Sequence, residues 1–274
     1  MRGIAGRRTD LHAETIHRRE MRQPEVAIEF AHVSYRLEGS RELLLDLNLS
    51  IGSGEIFMLL GRSGSGKTTS LKLINRLLTP TQGEVVVEGK PTVRWDPIKL
   101  RRKIGYAIQE VGLFPHYTVG ENIALVPKLE QWPKAKIAKR VREVMELVDL
   151  RPSEFLGRYP DQLSGGQRQR VGLARTLAAD PPILLMDEPF GALDPISRSQ
   201  LQREFQQLQK RLQKTVVFVT HDVGEALLLG DRIALLQDGK LLRARTAREF
   251  IASDDPVTKS YVDAFRAGYQ VFET

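Results

Sequence analysis

The sequence contains no cysteine, which excludes a disulfide framework and a thiolate metal site. It also lacks any uninterrupted apolar run near the ~20 residues that span a membrane. Residues 1–24 carry six arginines and no apolar core, which is not the pattern of a secretory signal. We expect a flexible basic extension over residues 1–24, followed by a soluble cytoplasmic protein.

Positive charge is in modest excess, with 41 Lys and Arg against 34 Asp and Glu. A net charge of +7 invites a nucleic-acid or membrane-surface interpretation. The excess is divided between the N-terminal extension and scattered residues of helical segments, and no basic stripe with interleaved aromatic residues is present. We therefore predict no nucleic-acid partner.

The stretch Gly61–Thr68 matches the phosphate-binding pattern Gly-x4-Gly-Lys-[Ser/Thr]. A buried strand is predicted before it at residues 56–60. Glycines let backbone N–H groups approach phosphate oxygens, Lys67 would reach the β- and γ-phosphates, and the Thr68 hydroxyl would ligate Mg²⁺. The alternative is a Gly/Ser-rich turn before a helix, which the Lys-Thr pair and both flanks disfavour. The inward face of the following helix is predicted to comprise Leu71, Ile74, Leu77 and Leu78.

An antiparallel β unit is predicted before the phosphate loop, from two alternating apolar runs that close in a turn signal at residues 52–55. Tyr35, at the end of the first run, either stacks on a nucleotide base or is an ordinary packing residue. The inward positions are predicted to be Val26, Ile28 and Phe30 in the first run, and Leu45, Leu47, Leu49 and Ile51 in the second.

A strand over residues 104–108 is predicted to end at Gln109, whose amide is either a simple edge residue or a ligand to a metal and an attacking water. Prolines and glycines interrupt residues 110–134, and apolar residues then recur at helical spacing. We predict an inserted helical subdomain over about residues 110–160. Its inward residues are Ile137, Val141, Val144, Met145 and Val148.

The run Leu163-Ser164-Gly165-Gly166-Gln167 precedes another amphipathic helix. Ser164 would cap that helix, and the two glycines would expose backbone N–H groups at its positive end. The run is therefore either a second anion site, one without its own lysine, or a plain helix cap. The inward residues of the helix are predicted to be Val171, Ala174, Leu177 and Ala178.

Polar groups are predicted at the carboxyl edge of a parallel sheet, where α/β proteins bind ligands. Asp187 and Glu188 follow the buried strand at residues 183–186, and His221 follows the strand at residues 216–220. Asp187 would hold Mg²⁺ through its water shell, and Glu188 would polarise the attacking water. The alternatives are a helix N-cap for the two carboxylates and a capping role for His221.

Strands that alternate with helices around a phosphate loop indicate an α/β fold, a P-loop NTPase core with a mostly parallel sheet. Asp194 lies in a loop before one of these helices. We predict an ATPase domain over residues 25–245 and a C-terminal helical tail over residues 246–274.

In order, the phosphate loop, Gln109, residues 163–167, Asp187-Glu188, Asp194 and His221 resemble the nucleotide-binding subunit of an ABC transporter. The Leu-Ser-Gly-Gly-Gln run is the discriminating motif, because other P-loop families such as kinases and small GTPases lack it. The resemblance covers about residues 26–242.

This resemblance implies a head-to-tail dimer, made with a second copy of the chain, that closes on two ATP molecules with Mg²⁺. Residues 164–167 of one protomer would cover the γ-phosphate bound by the other. Glu188 would be the base, His221 the γ-phosphate sensor and Gln109 part of the catalytic set, and Asp194 would cross the dimer interface. The implied nucleotide-binding residues are Tyr35, Gly61, Arg62, Ser63, Gly64, Ser65, Gly66, Lys67, Thr68, Thr69, Ser164, Gly165, Gly166, Gln167 and Asp194, and the implied metal ligands are Thr68, Gln109 and Asp187.

Residues 73–77, 108–116 and 123–129 are similar to importers of quaternary-amine osmoprotectants such as glycine betaine, choline and carnitine. That similarity implies integral-membrane permease subunits as partners, a substrate-binding protein reached through them, and a peripheral place on the cytoplasmic face of the cell membrane. Arg62 stands after the first glycine of the phosphate loop, where a proline is more usual in relatives. Regulation by the C-terminal nucleotide-sensing pair that some relatives carry is not expected.

Two rival functions are an ATPase of another importer class, for amino acids, sulfonates or phosphate, and a soluble ABC protein that acts on nucleic acid. Proteins of the second kind generally need two cassettes or a long coiled coil, and the sequence contains one cassette and no heptad array.

Overall fold

The structure is a computed structural model that describes residues 25–37, 42–109 and 111–270, with side chains to residue 267. The extension predicted over residues 1–24 lies outside this part of the chain. The strands are β1 (Val26–Arg36), β2 (Glu42–Gly52), β3 (Ile56–Leu60), β4 (Gln82–Val87), β5 (Lys90–Pro91), β6 (Ile104–Ala107), β7 (Ile183–Asp187), β8 (Thr215–Thr220), β9 (Arg232–Gln237), β10 (Lys240–Leu241) and β11 (Arg245–Thr246). The α-helices are α1 (Lys67–Ile74), α2 (Pro97–Lys103), α3 (Val119–Ile123), α4 (Leu125–Leu129), α5 (Lys134–Leu147), α6 (Pro152–Phe155), α7 (Gly165–Leu177), α8 (Pro195–Leu212), α9 (Val223–Leu229), α10 (Ala247–Ile251) and α11 (Pro256–Gln270).

A parallel sheet with strand order β9-β3-β8-β7-β6 forms the centre of the protein, and β10 and β11 pair antiparallel with β9. The strands β3, β7 and β8 are buried along their whole length. Alternate residues of β3 divide between two hydrophobic cores, with Met58 facing the helices and Phe57 facing the antiparallel sheet. Cover on both faces explains why these strands read as continuous apolar runs. The predicted α/β class with a mostly parallel sheet is confirmed.

The antiparallel sheet is ordered β2-β1-β4-β5. Its strands β1 and β2 precede the phosphate loop as expected, β4 and β5 follow it, and the inward face of β1 and β2 differs from the alternation in two places. The register shifts between Val26 and Ile28, so Val26 is 45% exposed and Ala27 is buried instead. A second shift places Leu44 opposite Tyr35, which buries Leu44 and leaves Leu45 only half-buried. These β-bulges reverse the face of each residue beyond them, which period-2 reasoning does not foresee.

The helix after the phosphate loop is shorter than the apolar pattern indicated. It ends at Ile74, Asn75 caps it, and Arg76 has a positive φ of 55°. Leu77, predicted to face inward, is therefore exposed, whereas Leu78 packs against the antiparallel-sheet core.

Of the inserted helices, α3 and α5 pack on α7, and the buried residues of α5 that the helical spacing predicted, Val141, Val144 and Met145, belong to the same hydrophobic core. Residues 246–270 begin with the last residue of β11, which pairs with β9, and continue as α10 and α11. Helix α11 packs against α9, where a Cβ built on Gly224 would stand 3.0 Å from the Phe265 ring. Within the described residues, no helix is both long enough and apolar enough to cross a membrane.

Candidate active site

The phosphate loop, Asp187, Glu188 and His221 meet at the carboxyl edge of the parallel sheet. The loop follows β3 directly, Asp187 is the last residue of β7, and His221 follows β8, which pairs with both of these strands. Carboxyl ends of adjacent parallel strands form the ligand-binding crevice of α/β folds, so the topology brings together residues that are up to 160 positions apart.

The shape of the phosphate loop depends on two glycines and on contacts with remote segments. Gly66 has φ 107°, and a Cβ built on it would stand 2.7 Å from the Leu43 carbonyl oxygen. A Cβ on Gly61 would stand 2.2 Å from the Leu236 carbonyl oxygen. The Gly239 N–H donates to the Ser65 carbonyl oxygen at 3.3 Å. The back wall of the loop is thus built from β2 and from the β9–β10 hairpin.

Lys67 is buried beneath the loop, with its ammonium held by neutral oxygens. Its Nζ donates to the carbonyl oxygens of Gly61 at 2.8 Å and Arg62 at 3.0 Å, and lies 4.0 Å from Glu188 Oε1. Burial lowers the pKa of Lys67, while Glu188 and Asp187 oppose that shift. The buried Ser65 hydroxyl has no hydrogen-bond partner among the described residues. A buried cation held by two neutral carbonyl oxygens, beside that hydroxyl, favours a phosphate anion in the loop.

Thr68 and Asp187 form a pair of oxygen donors beside Lys67. The Thr68 hydroxyl donates to Asp187 Oδ1 at 2.9 Å, and the Tyr106 hydroxyl donates to Asp187 Oδ2 at 3.4 Å. Burial raises the pKa of Asp187, and burial followed by the Asp187 charge raises the pKa of Tyr106. Among the described residues, no three His, Asp or Glu side chains are arranged so that they could hold a metal ion by themselves. Hydroxyl and carboxylate donors in this small number fit Mg²⁺, which keeps several waters and phosphate oxygens as ligands.

Glu188 connects the loop lysine with His221. Its backbone has φ 46°, a left-handed conformation that a non-glycine residue rarely adopts, and its N–H donates to the Val219 carbonyl at 3.0 Å. Its Oε2 lies 2.9 Å from His221 Nδ1. His221 is 60% exposed, so this ring lies at the mouth of the site. Left-handed strain at a charged residue is typical of functional sites.

Gln109 and Tyr35 lie further from this cluster. Gln109 is exposed, two residues after the end of β6, and within the described part of the chain it makes no hydrogen bond to Thr68, Asp187 or Glu188. Tyr35 is half-buried on the antiparallel sheet opposite Leu44, whose side chain lies behind Gly66. Tyr35 therefore borders the loop without entering it.

Residues 164–167 form a complete N-terminal cap for α7. Ser164 Oγ accepts the Gln167 N–H, and the Gln167 side chain accepts the Ser164 N–H, a capping box. A Cβ on Gly166 would meet no atom within 4 Å, and a Cβ on Gly165 would meet only Leu193, at 3.9 Å. Packing within one chain therefore does not require these two glycines.

Asp194 caps α8, because its Oδ1 accepts the N–H groups of Ile196 and Ser197. The hydrogen bonds from Ser197 lower the pKa of Asp194. Neighbouring Ile196 is 82% exposed. Two residues near the site were not predicted from the sequence, namely Tyr106 and Arg198. The Arg198 guanidinium donates to the carbonyl oxygens of Gly191 and Leu193. The position of Tyr106 on a strand adjacent to β7 was the available signal for the first, and no local pattern marks the second.

Comparison with known proteins identifies the family of this chain. A family model described as ABC transporter matches residues 44–191. The chain belongs to the ABC transporter family. Within this family, it is 50% identical over 224 residues to the glycine betaine/carnitine/choline transport ATP-binding protein OpuCA of Bacillus subtilis, covering 82% of this chain and 59% of that protein. It is 51% identical over 220 residues to the choline transport ATP-binding protein OpuBA of the same species, covering 80% and 58%.

The chain thus spans less than two thirds of the length of these two ABC relatives. Among solved structures, the dimeric post-hydrolysis state of the ATP-binding cassette MJ0796 bound to ADP and Pi is 36% identical with a TM-score of 0.72, covering 81% of this chain and 99% of that one. The cbiO1 protein of Clostridium perfringens, described as part of the ABC transporter complex cbiONQ, is 25% identical with a TM-score of 0.78, covering 90% and 99%. The predicted P-loop NTPase fold is confirmed.

The buried carboxylate of Asp187 gives a testable stability effect. Its pKa is raised on folding, so the folded chain binds that proton more tightly, and the ionised group destabilises the protein as pH rises through the folded pKa. We expect Asp187→Asn to raise the melting temperature of the nucleotide-free chain by about 2–4 °C at pH 7.5, as for a gain of about 1 kcal/mol. The gain should disappear below about pH 4, the pKa of an unfolded aspartate.

Differential scanning fluorimetry across pH 3–8 measures this difference. The same variant should lose most of the additional stabilisation that Mg²⁺ gives in the presence of ATP, since binding to the folded state stabilises it by mass action. A lower melting temperature at pH 7.5 without nucleotide would show that Asp187 is a stabilising structural residue.

Proposed function

We propose that the chain is the ATP-hydrolysing subunit of an importer of quaternary-amine osmoprotectants, such as glycine betaine, choline and carnitine. The observation that carries the ATPase part is the convergence of Lys67, Thr68, Asp187, Glu188 and His221 at one edge of the sheet. The printed names of the relatives at about 50% identity support the substrate class.

In this proposal, residues 61–69 bind the phosphates of ATP through backbone N–H groups and the Lys67 ammonium. Thr68 and Asp187 hold Mg²⁺, with Gln109 joining them when the site closes. The ion would supply positive charge that offsets the charge developing on the transferred phosphoryl group. Burial of Lys67 and Asp187 excludes water around these charges, which strengthens their interaction with the phosphates.

Glu188 acts as the base for the attacking water. Its carboxylate is aimed into the site by the left-handed backbone and lies between Lys67 and His221. The exposed face of the His221 ring contacts the γ-phosphate while Nδ1 keeps its contact with Glu188. Tyr35 stacks on the adenine from the antiparallel sheet beside the loop.

The second half of the site comes from another copy of the chain. Gly165 and Gly166 leave open space at the positive end of α7, and no contact among the described residues of one chain accounts for either glycine. We propose that this surface covers the γ-phosphate bound by the partner and that Asp194 and Ile196 line the interface. The dimeric state of the related cassette MJ0796 supports this arrangement.

The proposed partners are integral-membrane permease subunits and, through them, a substrate-binding protein, with the chain on the cytoplasmic face of the membrane. The description of cbiO1 as part of a transporter complex supports a partner of the first kind. A role for the same ATPase in another importer class is the alternative, because no residue of the described site would contact the transported molecule.

The test is ATP-dependent uptake of labelled glycine betaine and choline by liposomes that contain the chain with its own permease and binding protein. We expect uptake only when ATP is on the side of the liposome membrane that holds this chain. We expect Glu188→Gln to abolish that uptake. Uptake of an amino acid or a sulfonate in place of both amines would contradict the substrate class and leave the ATPase assignment standing.

A further inference from the structure

Helices α8 and α9 follow the two loops that carry Glu188 and His221, and three polar links join them. On α8, the linked residues are spaced four apart and therefore lie on one face. Arg198 NH1 lies 3.8 Å from Asp222 Oδ2, Gln202 Nε2 donates to Glu225 Oε1 at 3.0 Å, and Gln206 Nε2 donates to the Leu228 carbonyl at 2.9 Å.

The middle link is buried, with Gln202 8% and Glu225 6% exposed. Burial of a carboxylate is costly unless hydrogen bonds compensate for the lost water, and burial raises the pKa of Glu225. The compensating donors are the Gln202 amide and the Thr220 hydroxyl. Among these links between described residues, it is the one side-chain pair in which both members are buried, since Arg198 and Asp222 are both partly exposed.

Glu225 supports the turn that holds His221 from both sides. Thr220, one of its donors, directly precedes His221, and the Thr220 hydroxyl also accepts the Asp222 N–H at 3.0 Å. Asp222 Oδ1 in turn accepts the Glu225 N–H at 3.1 Å. The residues on either side of the imidazole are therefore fixed by one small network that ends at Gln202.

The first turn of α8 is tied to the Glu188 loop. Arg198 donates to the carbonyl oxygens of Gly191 at 3.3 Å and Leu193 at 3.2 Å, and the Gly191 N–H donates to the Glu188 carbonyl at 3.1 Å. The two supports converge on the 2.9 Å contact between Glu188 Oε2 and His221 Nδ1. Helix α8 is thus connected to both partners of that contact.

We infer that Gln202 and Glu225 are positioning residues that hold His221 against Glu188. The inference rests on the proposed function for its effect on ATP turnover, but its structural part does not. A substitution at either residue releases the His221 turn without touching the phosphate loop, so ATP affinity is retained while the rate of hydrolysis falls.

The chain has five histidines, so imidazole nitrogen signals in an NMR spectrum of the whole protein can be assigned, and His221→Gln identifies the signal of His221. Gln202→Met keeps the length of the side chain and removes its donor. The matched control is Gln209→Met, because Gln209 lies on the same helix, is 7% exposed and donates to the Lys214 carbonyl at the end remote from the site. Glu225→Ala and Glu225→Gln complete the set, since an amide oxygen at position 225 still accepts hydrogen bonds.

We expect Gln202→Met and Glu225→Ala to shift the His221 signal and to lower kcat for ATP by about 10- to 100-fold, as for a misplaced catalytic group, with the Kd for ATP within about twofold of wild type. Glu225→Gln should remain near wild type in both measurements, and Gln209→Met should leave the His221 signal unchanged. If the His221 signal and kcat of Gln202→Met equal those of Gln209→Met, the positioning role is wrong. If wild type has no ATP turnover but the NMR differences appear, the proposed function fails and the structural link stands.

Discussion

The Glu188→Gln variant is expected to bind ATP and to accumulate as an ATP-dependent dimer, with turnover lowered by about 10²–10⁴-fold, the usual contribution of a general base. The amide keeps the shape of the side chain and an oxygen that can face His221, so the site stays assembled. Loss of the carboxylate also removes negative charge 4.0 Å from Lys67, which favours retention of the γ-phosphate. Gel filtration with light scattering, with and without ATP and Mg²⁺, measures the dimer.

A carboxylate outside the site provides the control for that variant. Glu143 lies on α5, is 44% exposed and pairs with Lys139, so Glu143→Gln should leave both turnover and dimerisation unchanged. Adding Gly166→Asp to Glu188→Gln should abolish the dimer, because the new charge repels the γ-phosphate across the interface. The free chain should not lose stability, since a Cβ on Gly166 meets no atom within 4 Å and an acidic residue suits a helix N-terminus. Retained turnover with no dimer in Glu188→Gln would remove Glu188 from the role of base.

The Lys67→Ala variant is expected to lose ATP affinity by about 100-fold or more, because charge-assisted hydrogen bonds to phosphate contribute about 1.5–3 kcal/mol each and every 1.4 kcal/mol is tenfold. The nucleotide-free chain should keep its fold, since Lys67 is a buried cation whose pKa burial lowers, and the Glu188 carboxylate that loses it still contacts His221. Isothermal titration calorimetry with ATP measures the affinity, and a thermal melt verifies the fold.

Lys139→Ala is a suitable comparison, because that lysine is 81% exposed on α5, far from the phosphate loop. Its ATP affinity should equal that of wild type. Lys67→Met, which fills the space left by the deleted side chain, should repeat the affinity loss and so separate the charge from the cavity. Unchanged affinity in both Lys67 variants would contradict the phosphate-loop assignment.

Periodicity predicted the regular elements of this chain well wherever one face or both faces are uniformly buried. Continuous apolar runs predicted β3 and β7, and helical spacing predicted α5 and α7 with their inward residues. Prediction failed where the backbone departs from the regular period. The bulges at Val26 and Leu45 result from pairing with another strand, and at the helix end Arg101 of α2 donates to the carbonyl oxygens of Asn75 and Arg76. A local pattern contains neither kind of contact.

The candidate site, like the fold, could be predicted from the sequence only in part. The phosphate loop and the carboxylates after β7 have local signatures, and parallel topology places them together. The Thr68–Asp187 contact, the left-handed backbone of Glu188 and the buried Gln202–Glu225 pair depend on packing between elements distant in sequence. The assignment of Ser164, Gly165, Gly166 and Asp194 to nucleotide binding stays a prediction, because inside one chain Ser164 and Asp194 act as helix caps.

The wall behind the phosphate loop has a consequence for synthesis on the ribosome. Gly61 packs against the Leu236 carbonyl, and the Gly239 N–H donates to the Ser65 carbonyl, so one wall of the loop is a hairpin about 170 residues further along the chain. At roughly 5–20 residues per second, translation delivers that hairpin about 10–30 s after the loop has been polymerised. A nascent chain that ends before residue 236 therefore carries the whole phosphate-binding motif without the hairpin that backs it. The nucleotide site is thus complete only after almost the whole ATPase domain has been synthesised.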